Sequence, residues 1–368
     1  MPVTSLIPAL DPAPLPGPPW LFHVLWVVTF LIHLLFVNMV LGGSLLAAIA
    51  GGGTPARRET QRLFVEINSW TISFAITFGI APLLFVQVLL GRFFYSATIL
   101  VAWAWFGLLV ILTGAYYLNY VAKFRLRAGK SASGVLWIVA VCFLLIALIQ
   151  VVVNLLHMQP ERWGAVADSF WAAFADPSLA ARYLHFVLAA VSMSGAVLAW
   201  VAVRRAEKGG EKGVLEGMAR FGVRATLVAT VLQLIDGFAL LFLLPKDVLL
   251  AFMRGGVATT LPLTIGIVAG VVLLVVLAQI SDPLAQATKV RRVAELIVAA
   301  VLFMIVTRHQ IRALYLAPSR ADEQVAVVPQ WDTFAMFLVA FVVCGVGLTV
   351  WSLLRAATDK PMPGERAA

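Results

Sequence analysis

Long apolar runs recur along this chain of 368 residues and restrict its fold more than any other feature. A run of about 20 apolar residues crosses the hydrocarbon core of a bilayer as a helix, which satisfies its own backbone hydrogen bonds. Hydrophobic residues make up 62% of the chain and charged residues 12%, whereas soluble domains have about 45–50% and 25%. The sequence therefore predicts an all-α, polytopic membrane helix bundle of about nine transmembrane helices. They are predicted at residues 20–50, 63–91, 95–122, 134–156, 178–203, 219–244, 259–280, 293–317 and 332–354.

Lysine and arginine residues indicate how this bundle lies in the membrane. They concentrate in the connections after the first, third, fifth and seventh spans and in the C-terminal tail. Because basic connections stay on the cytoplasmic side, we expect the N-terminus outside and the C-terminus inside, as in a multi-pass protein of a bacterial inner membrane. The net charge of +9 then reflects orientation and contact with membrane lipid, and no nucleic-acid partner is expected.

The spans follow one another with short connections, so residues 1–368 are interpreted as a single transmembrane domain. Within it, we expect a first four-helix bundle at 20–156 and the remaining five helices at 178–354. Both cysteines, Cys142 and Cys344, lie inside apolar runs, and no CxxCH motif occurs. Covalent attachment of a c-type haem is therefore not expected.

All five histidines are predicted to lie in the outer, periplasmic half of the bilayer or at its surface. His23 and His33 lie early in the first span, His157 ends the fourth, His185 opens the fifth and His309 lies near the outer end of the eighth. A histidine inside a membrane bundle can ligate a metal, line a proton path or hydrogen-bond a neighbouring helix. Their shared depth is the main sequence clue to function.

Haem b suits this pattern, because it needs axial ligands from helices, an apolar cavity and groups that meet its propionates. The candidate iron ligands are His33, His185 and His309, with His157 and His23 ranked lower. Bidentate arginine pairing suits propionates, and the candidate arginines are Arg92, Arg308 and Arg312. The alternative for each histidine is an interhelical hydrogen bond or an anchor at the interface.

Two further polar features lie in the predicted spans. The spacing of Gln150, Asn154 and His157 predicts a polar stripe down one face of the fourth span. Gln87 in the second span and Asp236 in the sixth are polar groups predicted at the same depth as the histidines. Polar residues that face the interior of a membrane bundle are functional candidates.

Five segments, in order, give the chain a resemblance to a known family. They read HLLFVNMVLGGSLLAAI from His33, FGIAPLLFVQVLLGRFFYS, NLLHMQP, FADPSLAARYLHFVLAAVSMSGAVLAW and VTRHQIRALYLAP. Together they resemble the first, second, fourth, fifth and eighth helices of subunit I of cytochrome bd-type quinol oxidases. The resemblance implies nine helices with an outside N-terminus, His33 as ligand of an active-site haem and His185 as ligand of a low-spin haem b.

The same resemblance implies a function and also shows departures from it. It implies two or more haems b, quinol as substrate, contact with the quinone pool, and further membrane or outer-face redox subunits. However, Gln87 and Ile305 stand where the family has glutamates of the oxygen site, and the connection PKDVLLAFMRGG is shorter than the family's quinol loop. The sequence therefore favours a haem b-binding electron-transfer subunit. The alternatives are a working oxidase subunit and a haem-free transport or structural subunit.

Overall fold

The protein is helical along nearly all of the chain that the computed structural model describes, which comprises residues 6–10, 13–321, 323 and 325–358. Twelve α-helices are present in these ranges. They are α1 (Pro19–Ala50), α2 (Pro55–Leu100), α3 (Ala102–Arg127), α4 (Ser133–Leu156), α5 (Trp163–Asp168), α6 (Leu179–Glu207), α7 (Lys212–Phe242), α8 (Lys246–Arg254), α9 (Val257–Ala278), α10 (Ala287–Leu316), α11 (Trp331–Ala340) and α12 (Leu348–Thr358). A π-helical stretch, Phe341–Gly347, joins α11 to α12 into one long helix.

Eight helices in the described residues are long and apolar enough to cross a membrane. They comprise α1–α4, α6, α7, α9 and the joined helix Trp331–Arg355. This confirms the predicted all-α, polytopic membrane bundle. The remaining predicted span, 293–317, corresponds to α10, which does not meet the same criteria. The carboxyl-terminal half of α10 carries Arg308, His309 and Arg312 among apolar residues.

The second and third spans differ from the prediction in their boundaries. Helix α2 is interrupted by non-helical backbone at Leu90 (φ −137°, ψ 26°), one residue before the predicted end of the second span. A helical segment then continues through residues 92–94, where a connection was expected, and reaches Leu100. Helix α3 therefore begins at Ala102 rather than at the predicted residue 95.

Close contacts at glycines join α1 to α6 and α6 to α7 in the half of the bundle that is predicted to be cytoplasmic. A Cβ atom on Gly42 of α1 would lie 1.9 Å from the Ala190 carbonyl oxygen of α6. A Cβ atom on Gly195 of α6 would lie 2.7 Å from the Gly222 oxygen of α7. Small residues allow membrane helices to approach this closely, so that van der Waals contact joins them. An apolar cluster surrounds these contacts and contains residues of α1, α2, α4, α6 and α7.

A second apolar cluster fills the opposite half of the bundle. Its rings include Phe22, whose centroid lies 6.0 Å from those of both Phe85 and Phe334. The segment before α1 pairs with the segment before α11, because the Leu15 N–H donates to Ala326 O (2.8 Å) and Val328 N–H donates to Leu15 O (2.9 Å). These contacts bring the first end of α1 and the last end of α10 to the same face.

The connection after α7 also forms a helix where the sequence suggested only a short loop. Helix α8 begins with Lys246 and buries Val248 and Phe252 on one face. This amphipathic helix lies over α10 and next to α9.

Candidate functional site

Two arginines on α10 form the centre of the most polar region within the bundle. Arg308 and Arg312 are one turn apart and face Phe30 and Trp26 on α1, which are also one turn apart. The Arg308 Cζ atom lies 5.0 Å from the Phe30 ring centroid, and the Arg312 Cζ atom lies 4.3 Å from that of Trp26. Such cation–π contacts contribute about 0.5–2 kcal/mol each, more when the pair is removed from water. The matched spacing positions both guanidiniums between the two helices.

The two buried guanidiniums have few hydrogen-bond acceptors and no counter-charge close to them. Arg308 Nη2 donates to Asn154 Oδ1 at 2.5 Å, which confirms that one residue of the polar stripe on α4 faces inward. Gln150 of the same stripe is exposed, so it faces away from the site. Arg312 is 4% exposed, and its Nε is buried without an acceptor. Among the described residues, no carboxylate oxygen lies within 4 Å of either guanidinium.

Three of the five histidines border this arginine pair. His309 Nε2 lies 3.0 Å from His23 Nδ1, so one imidazole donates to the other. The two axial ligands of one haem iron would lie on opposite faces, two metal–nitrogen bonds apart, so His23 and His309 as placed form a hydrogen-bonded pair and not a pair of axial ligands. His157 is buried and its Nδ1–H donates to Val153 O at 3.2 Å, which leaves Nε2 as an unpartnered acceptor.

His33 lies further along α1 and faces α2. Its Nδ1–H donates to the Ala75 carbonyl oxygen at 2.8 Å. Gly79 lies beside the ring, where a Cβ atom would be only 2.9 Å from His33 Cε1. A backbone bond at Nδ1 fixes the tautomer in which Nε2 carries a free lone pair. His33 therefore has the donor chemistry of an axial haem ligand.

His185 on α6 faces α7 and is held in a similar manner. Its Nδ1–H donates to Asp236 Oδ2 at 3.2 Å, and the Gln233 amide lies 3.5 Å from Nε2. Asp236 is buried, with 9% of its side chain exposed, while 24% of the His185 side chain is exposed. A carboxylate on the second ring nitrogen is the usual support of a metal-binding histidine. His185 and its partner thus also fit an axial ligand, provided that the weakly bound Gln233 amide moves aside.

Arg92 lies in a different environment from Arg308 and Arg312. Its guanidinium forms an ion pair with Glu323 and donates to Ser319 O at 3.3 Å and to Pro8 O at 3.3 Å. Arg320 pairs with the same glutamate. These contacts engage Arg92 in holding the segment after α10, so the structure gives no support to its predicted role with a propionate.

An acidic network covers the connection between α4 and α6. Asp176 accepts from the Ser178 N–H at 2.7 Å, the Ser178 hydroxyl at 2.6 Å, Gln159 Nε2 at 2.8 Å and Arg162 Nη1 at 3.3 Å. Burial alone would raise the pKa of Asp176, but these hydrogen bonds and the Arg162 charge outweigh it, so its pKa lies below the usual value. The Ser178 hydroxyl also accepts from Arg182 Nε at 2.9 Å, which links the network to α6.

Sequence reasoning missed several of these partners. Trp26 and Phe30 were counted only as apolar, and Gln233 was not considered. The sequence did contain a signal for the contact between α1 and α10. Trp26 and Phe30 have the same i, i+4 spacing as Arg308 and Arg312, and a histidine lies near each pair. Among the described residues, no group of three or more His, Cys, Asp or Glu side chains gathers as a metal-ion site.

The fold and these buried polar groups define the class of the protein as a polytopic helical membrane protein with intramembrane histidines. No family model and no curated protein sequence matches the chain. Among solved structures, it is similar to a chain of the bd oxidase from Geobacillus thermodenitrificans, with a TM-score of 0.68 and 15% identity. The match covers 94% of this chain and 99% of that chain, so the two are of similar length. The chain thus has the fold of a bd-type oxidase chain, which confirms the structural part of the resemblance.

Proposed function

We propose that this chain is a haem b-binding membrane subunit that passes electrons between quinol and a redox partner at the outer face. It would hold two or more haems b, with His33 and His185 as axial ligands. It would draw on the quinone pool and work with further membrane or outer-face redox subunits. The fold shared with a bd oxidase chain supports an oxidoreductase role.

The contact between His185 and Asp236 carries this proposal. A carboxylate buried in a membrane bundle is costly, and it is retained where it has a partner and a function. Here it accepts the Nδ1–H of an imidazole whose Nε2 meets only a long contact from Gln233. This arrangement presents a lone pair in a fixed direction, which a purely structural histidine does not need.

The residues of this chain would act by holding and orienting the two ligands. Asp236 keeps His185 in the Nδ1–H tautomer, and the Ala75 carbonyl does the same for His33. The two rings face different neighbouring helices, α7 and α2, so each would serve a separate site. Bound haem supplies a one-electron carrier whose potential follows its axial ligands and the polarity around them.

Haem content and ligand replacement test this function. We expect the purified protein to give the sharp α-band of haem b in a dithionite-reduced minus oxidised spectrum. His185→Ala and His33→Ala should each lose about one haem in the pyridine haemochrome assay, because each removes one axial ligand. His23→Ala is the matched control, since its imidazole contacts only His309 within hydrogen-bond distance.

Three results would separate the alternatives. A far-red band in addition to the α-band would indicate a d-type haem and a working oxidase subunit. Full haem content in His185→Ala, with an unchanged spectrum, would reject its role as a ligand. A protein without haem bands would reject the proposal and favour the haem-free alternative.

Two observations favour that haem-free alternative as a second candidate. The cleft beside Arg308, His309 and Arg312 has an internal volume of about 10 Å³, which holds about one water molecule. In addition, His23 and His309 close directly upon each other. A structural subunit of an oxidoreductase, with histidines that serve helix contacts, agrees with these two features.

A further inference from the structure

The axial-ligand roles proposed for His33 and His185 do not by themselves supply a counter-charge to the buried arginine pair. Moving a charged group from water into a protein interior costs several kcal/mol unless a counter-charge accompanies it. Arg312 is 4% exposed, its Nε lacks an acceptor, and Arg308 has only the neutral Asn154 amide. The described residues supply no anion to this pair, although the fold brings both cations into one cleft.

The surroundings of the pair favour an anionic oxygen group from outside the chain. The cleft between α1 and α10 is lined by Trp26, Val27, Phe30, Ile305, His309 and both arginines, and His309 Nε2 is already engaged by His23 Nδ1. Its aromatic rings lie against the guanidinium faces, which leaves the N–H edges for an acceptor. His157 contributes no donor, because its Nδ1–H is already donated to Val153 O.

We propose that Arg308 and Arg312 bind the phosphate group of an anionic membrane lipid at the outer end of the bundle. Arg312 lies four residues before the last residue of α10, Leu316, about 6 Å along the axis. It is therefore near the level at which lipid phosphates meet helix ends. Basic pockets between transmembrane helices on the matrix or cytoplasmic side recognise lipid head groups, and we apply the same phosphate–arginine chemistry to this end of the bundle.

The size of the cleft limits how the phosphate is held. Its volume of about 10 Å³ has room for about one water-sized group. One phosphate oxygen enters between the guanidiniums, while the rest of the head group and the acyl chains stay outside between α1 and α10. Paired arginine donors suit this geometry, because two N–H groups can converge on a single oxyanion.

Thermal unfolding in nanodiscs of two compositions tests this site. We expect the wild-type protein to unfold at a higher temperature in phosphatidylcholine nanodiscs containing phosphatidylglycerol than in pure phosphatidylcholine, because a ligand that binds only the folded state stabilises it. Arg312→Gln should abolish most of this difference and weaken retention of phosphatidylglycerol in native mass spectrometry about tenfold or more. Arg220→Gln removes an exposed charge that pairs with Glu216 and should retain the wild-type difference.

Inorganic phosphate separates a lipid phosphate from a free one. If phosphate added to phosphatidylcholine nanodiscs raises the unfolding temperature as phosphatidylglycerol does, the site takes a phosphate group from either source, and the proposal stands in that broader form. An effect of phosphatidylglycerol alone supports the lipid.

Three outcomes would overturn the proposal. The first is that neither phosphatidylglycerol nor phosphate shifts unfolding. The second is that Arg312→Gln raises the unfolding temperature equally in both nanodiscs, as removal of an unpaired buried charge would. The third is that phosphatidylglycerol binds only after haem has been lost in His33→Ala or His185→Ala, which would assign the arginines to a haem propionate. The comparison of the two nanodiscs uses the wild-type protein and Arg312→Gln. If the haem proposal fails, the test of lipid binding can therefore still be made.

Discussion

The two ends of the bundle both carry arginines, but they accommodate them differently. At the predicted cytoplasmic end, arginines lie at the surface within 4 Å of a glutamate. These pairs are Arg127–Glu66, Arg204–Glu207, Arg205–Glu59, Arg220–Glu216 and Arg291–Glu207. At the opposite end, Arg92, Arg162 and Arg320 also pair with acids. Arg308 and Arg312 differ, because they lie between helices against aromatic rings with no carboxylate of the described residues within 4 Å.

This contrast separates two uses of the same residue. Exposed ion pairs contribute little to stability, roughly 0–1 kcal/mol, but a basic surface fixes which side of the membrane it occupies. Buried arginines are costly, and membrane proteins retain them at sites of binding, transport or electron transfer. The first set therefore supports a prediction of orientation, and the second marks the candidate site.

The largest effect is expected from a test of orientation itself. A reporter that is active only in the cytoplasm, fused to the carboxyl terminus, should be fully active, and one that is active only in the periplasm should be silent, because the basic connections stay inside. The opposite pattern would place Arg308, Arg312 and the histidines at the cytoplasmic face.

A large loss of stability is expected where the glycine contacts are filled. Gly42→Ala places a methyl group 1.9 Å from Ala190 O, so α1 and α6 must separate. We expect the free energy of unfolding to fall by about 3 kcal/mol or more, by analogy with severe overpacking of a core. The measurement is thermal or denaturant unfolding in detergent.

Gly114→Ala is the matched control for this substitution. No atom lies within 4 Å of a Cβ at Gly114, and it lies inside α3. Alanine should therefore leave stability unchanged or raise it by about 0.5–1 kcal/mol, as expected for glycine replacement in a helix. Equal destabilisation by both variants would show that α1 and α6 do not make the close contact described above.

A smaller loss is expected at the acidic network of the outer connection. Asp176→Asn removes a charge that Ser178, Gln159 and Arg162 stabilise, and should cost about 1–3 kcal/mol at neutral pH. Because the folded state lowers the pKa of Asp176, its contribution is complete above the unfolded value of 3.8 and is lost as the pH falls through the folded value. The difference between wild type and variant should therefore shrink below pH 3.8.

Glu216→Gln provides the comparison at the other end. This residue pairs with Arg220, and 42% of its side chain is exposed, so the substitution should cost less than about 0.5 kcal/mol. A larger cost for Glu216→Gln than for Asp176→Asn would contradict the distinction between the two ends. Unfolding midpoints across pH 3 to 7 provide both measurements.

Much of the fold followed from the sequence because hydrophobic length alone fixes a spanning helix. The bounds of α1, α4 and α6 lie within a few residues of the predicted spans. Gly51 follows the end of α1, Gly129 lies in the connection before α4, and Pro177 lies just before α6. The interruption at Leu90 lies next to the predicted end of the second span, but α3 begins at Ala102 rather than at residue 95, because the segment after Leu90 stays helical as far as Leu100.

The candidate site was harder to predict from the sequence, because pairing between helices decides it. The arginines and histidines of α10 were identified by their presence in an apolar run, but their contacts with α1 depend on how the helices rotate. Arg92 illustrates the limit, since sequence depth placed it with Arg308, whereas Glu323, more than 200 positions later, engages its charge. The membrane orientation and the haem-ligand roles of His33 and His185 remain predictions.

The pairing of Leu15 with the segment at Val327 affects how the protein is made. These two residues are separated by more than 300 positions, yet hydrogen bonds join their segments at one face. At about 5–20 residues per second, the ribosome needs roughly 15–60 s after Leu15 to deliver Val327. Throughout that interval the outer end of a nascent, already inserted α1 lacks its cover. Closure of this face is therefore a late step of biogenesis, and a chain that stalls before residue 326 would lack the hydrogen bonds that join these two segments.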